Sequence, residues 1–125
     1  MQEGATVNIG ALSAEQLVAK YRASALSDDP WDPTTAIVLE LQRRGIESEL
    51  LVLLEDGDPT VREWAGMHAL YFAPEAGERA LKKLEREGLG TASIVLKEWR
   101  AGLARPLTMG KLEWMKLLRQ LREKG

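Results

Sequence analysis

The sequence contains no cysteine and only one histidine in 125 residues. Without cysteine, disulfide bonds and thiol chemistry are excluded, and this fits a reducing compartment such as the cytosol. Zinc sites depend on several histidine or cysteine ligands, so a single histidine does not predict one. The sequence therefore predicts a protein without a bound metal and without thiol-based catalysis.

Long apolar runs are also missing. No run approaches the roughly 20 apolar residues that a membrane-spanning helix needs. The start of the chain, MQEGATVNIGALS, lacks the basic and apolar regions of a signal peptide. We therefore expect a cytoplasmic protein with no membrane partner. The composition, with 45% hydrophobic and 29% charged residues, is typical of a soluble globular domain long enough to form its own core.

No pattern of residues predicts a chemical reaction. The spacing indicates neither a nucleophile–base pair nor paired catalytic carboxylates. The stretch Gly88-Leu89-Gly90 is too short for a phosphate-binding loop. The acidic turn from Glu55 to Asp58 lacks the alternating oxygen ligands of a calcium-binding loop. The sequence thus predicts a protein that is not an enzyme and that carries no cofactor.

The stretch from Glu49 to Gly88 predicts two helices joined by a tight turn, and the start of a third helix. Gly57 is suited to ending the first helix, because glycine readily adopts the left-handed conformation. Asp58 can cap the next helix, and Pro59 fits its first position, where no N–H is needed. One face of that helix carries apolar residues at helical spacing, namely Val61, Ala65, Ala69 and Phe72.

A weak internal repeat appears at an offset of 31 residues. Periods of this size are typical of stacked two-helix repeats, in which each repeat buries its apolar face against its neighbours. The matching pairs are Leu50 with Leu81, Leu53 with Leu84, Gly57 with Gly88 and Thr60 with Thr91.

The segment LLEDGDPTVREWAGMHAL resembles a HEAT repeat, with its acidic turn, Pro59, the Val61-Arg62 pair, and the small residues Ala65 and Ala69. The wider run from Leu17 to Gly102 resembles a bacterial family of unknown function with HEAT-like helices. Its landmarks are LVAKY, ELQRRG, LLVLLEDGDPTVREWA, the Ala-Pro-Glu at 73–75, and LKEWRAG.

This resemblance implies an all-α protein: a short right-handed stack of antiparallel helical hairpins with six to seven helices. It implies no reaction. In HEAT-like proteins the arginine of the Val-Arg pair commonly bonds to an aspartate of the turn, so Arg62 is expected to do so.

Three regions are predicted along the chain. Residues 1–12 form a loose N-terminal arm, residues 13–102 the helical domain, and residues 103–125 a linker and a C-terminal capping helix. Ser13 and Gln16 have the spacing of a capping box at the first helix. The second helix is expected to begin at Asp32-Pro33, in the manner of Asp58-Pro59.

The C-terminal helix is the most ambiguous element, and its charge differs from that of the body. Residues 1–96 carry a net charge of −7, whereas residues 97–125 carry +5. The helix can cap the end of the stack, bind a partner or anionic surface, or mediate homo-oligomerisation. Its predicted apolar face contains Trp114, Leu117, Leu118 and Leu121, and its opposite face contains Lys111, Lys116, Arg119 and Glu123.

An aromatic cluster is the predicted partner-binding surface. Trp64, His68 and Tyr71 follow one another at helical spacing, and Trp99 lies 31 residues after His68, at the corresponding site of the next hairpin. Aromatic residues of this kind often anchor protein interfaces. The alternative for His68 is a partly buried side chain bonded to a neighbour.

These observations predict a non-enzymatic module that binds another protein through the inner helical face. The alternative is an acidic immunity or inhibitor protein that neutralises a cationic toxin or nuclease, because a −7 body attracts a basic partner. A third reading, a HEAT-like enzyme acting on nucleic acid, requires a basic concave face, which the sequence does not indicate.

Overall fold

The computed structural model describes residues 8–124, and over this range the only secondary structure is helical. The predicted all-α fold is therefore confirmed. Residues 1–7 of the predicted N-terminal arm lie outside the described residues. The α-helices are α1 (Ala14–Ala25), α2 (Trp31–Arg43), α3 (Pro59–Ala69), α4 (Pro74–Arg86), α5 (Gly90–Arg100) and α6 (Lys111–Lys124), and two segments, Ile9–Ala11 and Glu47–Glu55, form 3-10 helices.

Two of the predicted helix starts are confirmed in detail. The Ser13 hydroxyl accepts a hydrogen bond from the backbone N–H of Gln16, whose side chain accepts one from the N–H of Ser13, so the capping box forms. At α3 the carboxylate of Asp58 accepts from the N–H of Thr60 at 2.8 Å, with Pro59 in the first turn. Both caps satisfy N–H groups that have no partner inside the helix.

The predicted start of α2 at Asp32-Pro33 is wrong, because the helix begins at Trp31. Pro33 is tolerated there, since a residue in the first turn needs no N–H partner. Asp32 consequently does not cap its own helix. Its carboxylate accepts a hydrogen bond from the backbone N–H of Lys111 at 3.2 Å, so a residue of α2 caps α6 from 79 positions earlier in the chain.

Replacement of Asp32 by alanine is expected to reduce the free energy of unfolding by about 1 kcal/mol, the usual effect of removing a cap. Hydrogen exchange measured by NMR should show reduced protection at the first turn of α6, with faster exchange of the Lys111 amide. Asp32→Asn keeps an acceptor oxygen and is the control. Unchanged exchange at Lys111 in the alanine variant would contradict this role for Asp32.

The segment between α2 and α3 has the tight 3-10 geometry, with three residues per turn. Leu50 and Leu53, one such turn apart, are both buried. Their counterparts in the 31-residue repeat, Leu81 and Leu84 of α4, are buried too. The matching leucine positions of the two hairpins thus have the same packing role.

The hairpins are α1–α2, the 3-10 helix with α3, and α4–α5, and they form two layers. The second helices lie side by side: α2 contacts α3 through Trp31 and Trp64, and Thr91 of α5 donates a hydrogen bond to Glu63 of α3. The first helices α1 and α4 flank the 3-10 helix on the other layer. At the tightest point of the stack, Gly77 of α4 packs directly on the backbone of α3.

Arg62 does not bond to the turn, contrary to the expectation from the HEAT resemblance. Its guanidinium pairs with Glu87 at the end of α4, with 3.2 Å between Nη1 and Oε1. The turn carboxylate of Asp56 instead accepts a hydrogen bond from Arg22 of α1 at 2.8 Å, which lowers the pKa of Asp56. The end of α1 lies beside the turn, and it supplies the cation that the resemblance assigns to α3.

Residues 8–12, which the sequence assigns to a loose arm, are attached to the stack. Ile9 and Leu12 pack against the core, and the guanidinium of Arg44 donates to the carbonyl oxygens of Ile9 and Gly10, each at 3.2 Å. None of the helices within the described part of the chain is both long and apolar enough to cross a membrane.

Candidate functional site

All four tryptophans of the chain line two neighbouring depressions on the layer that contains α2, α3 and α5. The smaller one, called here the aromatic pocket, has a volume of about 60 Å³. The larger one, the α3–α5 groove, has a volume of about 290 Å³. The pocket walls include Trp31, Tyr71, Trp99, Arg105 and Trp114, and the groove walls include Trp31, Trp64, Met67, Ile94 and Val95.

Three of the four predicted partner-binding residues lie at these depressions with part of the side chain exposed. Trp64 packs edge-to-face against Trp31, with 6.1 Å between ring centroids. Tyr71 and Trp99 make a similar contact at 5.4 Å. The pairing of Tyr71 with Trp99 agrees with the proximity that the repeat offset predicts. Their role in binding a partner remains a prediction.

His68 is not on the surface, so the prediction that it contacts a partner directly is wrong for this structure. Its side chain is only 1% exposed. Nδ1 lies 2.6 Å from the hydroxyl oxygen of Tyr21 in α1, and Nε2 lies 3.4 Å from the hydroxyl oxygen of Thr35 in α2. His68 is thus a buried, hydrogen-bonded histidine, as the alternative interpretation expects, because α1 and α2 cover this side of α3.

The hydrogen bonds around Thr35 assign the proton on His68. The Thr35 hydroxyl donates to the carbonyl of Trp31 at 2.8 Å and accepts from Arg105 at 2.6 Å. Its single proton is therefore used, and Nε2 of His68 must donate to it. Nδ1 is then the acceptor for the Tyr21 hydroxyl. Burial, and secondarily the charge of Arg105, lower the pKa of His68 to about 3, so the ring is neutral at pH 7.

Arg105, in the linker before α6, is the buried cation of the site. Only 7% of the residue is exposed, and its guanidinium lies over the ring of Trp31, 5.2 Å from the centroid. It donates hydrogen bonds to the Thr35 hydroxyl and to the carbonyl of Met109. Tyr71 donates to the carbonyl of Arg105. These bonds attach the linker to the helical stack and hold the guanidinium in the wall of the aromatic pocket.

Helix α6 packs on its own chain through Trp114, which is only 8% exposed and forms another wall of the pocket. Leu117 and Leu118 are partly buried, as the predicted apolar face requires. Leu121, assigned to the same face, is exposed, as are Leu112 and Met115. The helix is thus bound mainly by its first half, together with the cap from Asp32.

The polar groups of the site are mostly buried, and its accessible surface is mainly apolar. Tyr21 and His68 are almost completely buried, and His68 forms part of the inner wall of the aromatic pocket. Within residues 8–124, no cluster of three or more histidine, aspartate or glutamate side chains could hold a metal ion. The accessible part of the site consists mainly of aromatic and aliphatic side chains, with Glu98 at the pocket and Glu63 and Thr91 at the groove.

Sequence reasoning missed Trp31, Arg105, Trp114 and the Thr35 contact as parts of the site. Trp31 precedes the predicted start of the second helix at Asp32-Pro33, and Trp114 lies on the predicted C-terminal capping helix. Arg105 lies in a short linker with no periodicity, and its burial depends on Thr35, 70 positions earlier. The available signal for Trp31 and Trp114 as site residues was composition: four of the seven aromatic residues are tryptophan.

Comparison of the chain with protein-family models, curated protein sequences and solved structures finds no match in any of the three.

Proposed function

We propose that this protein is a non-enzymatic module that binds another protein through the α3–α5 groove and the adjoining aromatic pocket. The observation that carries the proposal is an open, almost wholly apolar groove between two helices of the same layer. Ile94 on one wall is 57% exposed, and Trp64 and Met67 on the other are partly exposed. Contiguous apolar surface of this kind marks interaction sites more often than isolated exposed residues do.

The residue types at the groove favour a protein as the ligand. Tryptophan and tyrosine are enriched among the residues that dominate binding energy, and methionine adapts its shape to different partners. Trp64 and Trp99 are held by edge-to-face contacts with Trp31 and Tyr71, so little side-chain entropy remains to be lost when a partner binds. The site therefore combines immobilised aromatic side chains, Trp64 and Trp99, with Met67, whose side chain can adjust to a partner.

The test is an affinity capture from the native host's lysate with three tagged full-length chains: wild type, Ile94→Ser and Val52→Ser. Ile94 and Val52 are both exposed β-branched residues, but Val52 lies on the opposite layer, where it is 65% exposed. A partner that uses the groove should be recovered about tenfold less with Ile94→Ser, since loss of one anchor costs at least 1 to 2 kcal/mol. Recovery with Val52→Ser should equal that of wild type.

Equal recovery with all three chains would contradict the groove as the binding surface. Trp99→Ala is a second variant that tests the aromatic pocket in the same assay. His68 is unsuitable for this purpose because its replacement changes the core. Circular dichroism of each variant confirms that a loss of binding is not a loss of fold.

The alternative proposal, an acidic inhibitor of a basic toxin or nuclease, is supported by the −7 charge of residues 1–96. The arginines that pair with Glu40, Asp56 and Glu87 are already counted in this net charge, so the −7 represents the carboxylates left over after such pairing. Capture at low and high salt separates the two proposals. A basic partner lost at high salt and insensitive to Ile94→Ser favours inhibition, whereas a salt-insensitive partner favours the groove.

A further inference from the structure

Arg105 carries a charge that no carboxylate in the described part of the chain neutralises. Arg105 is only 7% exposed, and none of the carboxylates in residues 8–124 lies within 4.0 Å of its guanidinium. Its hydrogen-bond partners, the Thr35 hydroxyl and the Met109 carbonyl, are both uncharged. Buried charges in proteins are normally paired, because their removal from water is costly. Such a cation is a strong site for an incoming anion.

Arg105 lines the aromatic pocket, and its guanidinium lies over the ring of Trp31, which lines the pocket too, so an anion in the pocket can approach the guanidinium. Two of its five N–H groups are accounted for by Thr35 and Met109. The pocket also contains His68, which is neutral, and Glu98, whose carboxylate is exposed on α5. Inside the pocket the field is therefore set by Arg105, with Glu98 as the opposing charge.

We propose that the aromatic pocket binds a carboxylate of the partner protein, with Arg105 as its counter-ion and an adjacent apolar side chain of the partner in the α3–α5 groove. This inference rests on the proposed function and specifies the chemistry of the partner. The two depressions share Trp31, Met67 and Val95 as walls, so one short segment reaches both. The recognised element is an acidic side chain of the partner next to an apolar residue.

A carboxylate fits this pocket better than a phosphate does. The volume of about 60 Å³ is that of a few water molecules, which matches a planar group of three heavy atoms. A guanidinium presents N–H groups in a plane and bonds to a carboxylate in that plane. A doubly charged phosphate needs additional cations, whereas the pocket supplies one arginine and places Glu98 at its rim.

The test uses 3-phenylpropionate and its neutral amide, 3-phenylpropanamide, as probes of the wild-type protein. The indole N–H signals of the four tryptophans, observed by NMR, report the position of binding. We expect the carboxylate to bind at least tenfold more tightly than the amide, with the largest shifts at Trp31, Trp99 and Trp114. Equal affinity of the two probes, binding of neither, or shifts confined elsewhere would overturn the inference.

Two variants test the charges separately. Glu98→Gln removes the opposing carboxylate and should tighten binding of 3-phenylpropionate about two- to threefold, with no change for the amide. Arg105→Gln should abolish the preference for the carboxylate. Because Arg105 also attaches the linker, the wild-type comparison and Glu98→Gln decide the matter if that variant does not fold. An unchanged affinity in Glu98→Gln would count against the pocket.

Failure of this inference is distinguishable from failure of the proposed function. If the probes show no preference for charge, but capture of a partner still depends on Ile94, the groove binds a protein without a carboxylate in the pocket. If capture is insensitive to Ile94 and Trp99, the proposed function itself fails, whatever the probes do.

Discussion

Replacement of Gly77 by alanine is expected to reduce the free energy of unfolding by about 3 kcal/mol, at the upper end of the usual range for overpacking. A β-carbon at this position in α4 would lie 2.8 Å from the carbonyl oxygen of Gly66 and 2.8 Å from the backbone nitrogen of Leu70. Both atoms belong to the α3 backbone, which cannot move aside as a flexible side chain can. The helices must therefore separate, and the leucine packing between them is lost.

Helix propensity acts in the opposite direction, since alanine is about 1 kcal/mol better than glycine inside a helix. A net destabilisation by Gly77→Ala thus directly measures the close approach of α3 and α4. Gly90→Ala, at the first residue of α5, is the matched control, because nothing lies within 4 Å of a β-carbon there. We expect the control to change stability by less than about 1 kcal/mol.

Urea denaturation of both variants, monitored by circular dichroism, is the measurement. If Gly77→Ala were as stable as wild type, α3 and α4 would not be in backbone contact at this crossing. A large loss in Gly90→Ala would show that the effect is not specific to the crossing.

Lowering the pH from 6.5 towards 4.5 is expected to destabilise the protein, because His68 binds a proton in the unfolded chain but not in the folded chain. His68 is the only histidine, and its pKa is lowered from 6.5 to about 3 by burial and by Arg105. The unfolded chain therefore binds a proton below pH 6.5 that the folded chain does not. Stability from this residue is complete above pH 6.5 and is lost as the pH falls towards 3.

Between pH 6 and pH 4.5 the expected loss is about 2 kcal/mol, close to a tenfold change in the unfolding equilibrium per pH unit. Glu40 and Asp56, whose pKa values are lowered by arginine partners, contribute in the same direction. Their contribution comes mainly below pH 4.5, because the pKa of an unfolded carboxylate is near 4. The two effects are thus separated along the pH axis.

Urea denaturation at several pH values between 4.5 and 7 gives the slope, and His68→Gln is the control. Glutamine keeps a donor and an acceptor for Thr35 and Tyr21 but does not titrate. We expect its absolute stability to be lower at pH 7, while its pH dependence above 4.5 is much flatter than that of wild type. Parallel curves for the two proteins would contradict the assignment of His68 as a neutral, buried residue.

Much of the helical framework was predictable because its signals are local. The capping box at Ser13, the Asp58-Pro59 start of α3 and the stripe of buried residues on α3 depend on groups within about four positions of each other. The pairing of buried leucines in the 31-residue repeat also followed from spacing alone. The caps and the stripe each belong to one helix or one turn, and the repeat is a periodicity of the chain itself, so the sequence determines them without knowledge of the rest of the fold.

The candidate site was only partly predictable, and the errors have a common cause. Trp64 and His68 lie one turn apart on α3, yet Trp64 is partly exposed at the α3–α5 groove, whereas Tyr21 of α1 and Thr35 of α2 enclose His68. Asp32 has the spacing of a local cap but bonds to Lys111. Arg62 fits a local motif but pairs with Glu87. In each case a partner from another helix replaced the expected neighbour.

The sequence by itself determined where α1 and α3 begin, which faces of the helices are apolar, and that the chain has no thiol or disulfide chemistry. Tertiary structure decided which aromatic residues remain accessible, which histidine proton is retained, and that Arg105 lies buried beside three tryptophans without a carboxylate partner in the described chain. The physical reason is the range of the forces involved. Capping and periodicity act within a helical turn, whereas burial, desolvation and ion pairing depend on segments that folding brings together from 25 to 79 positions apart.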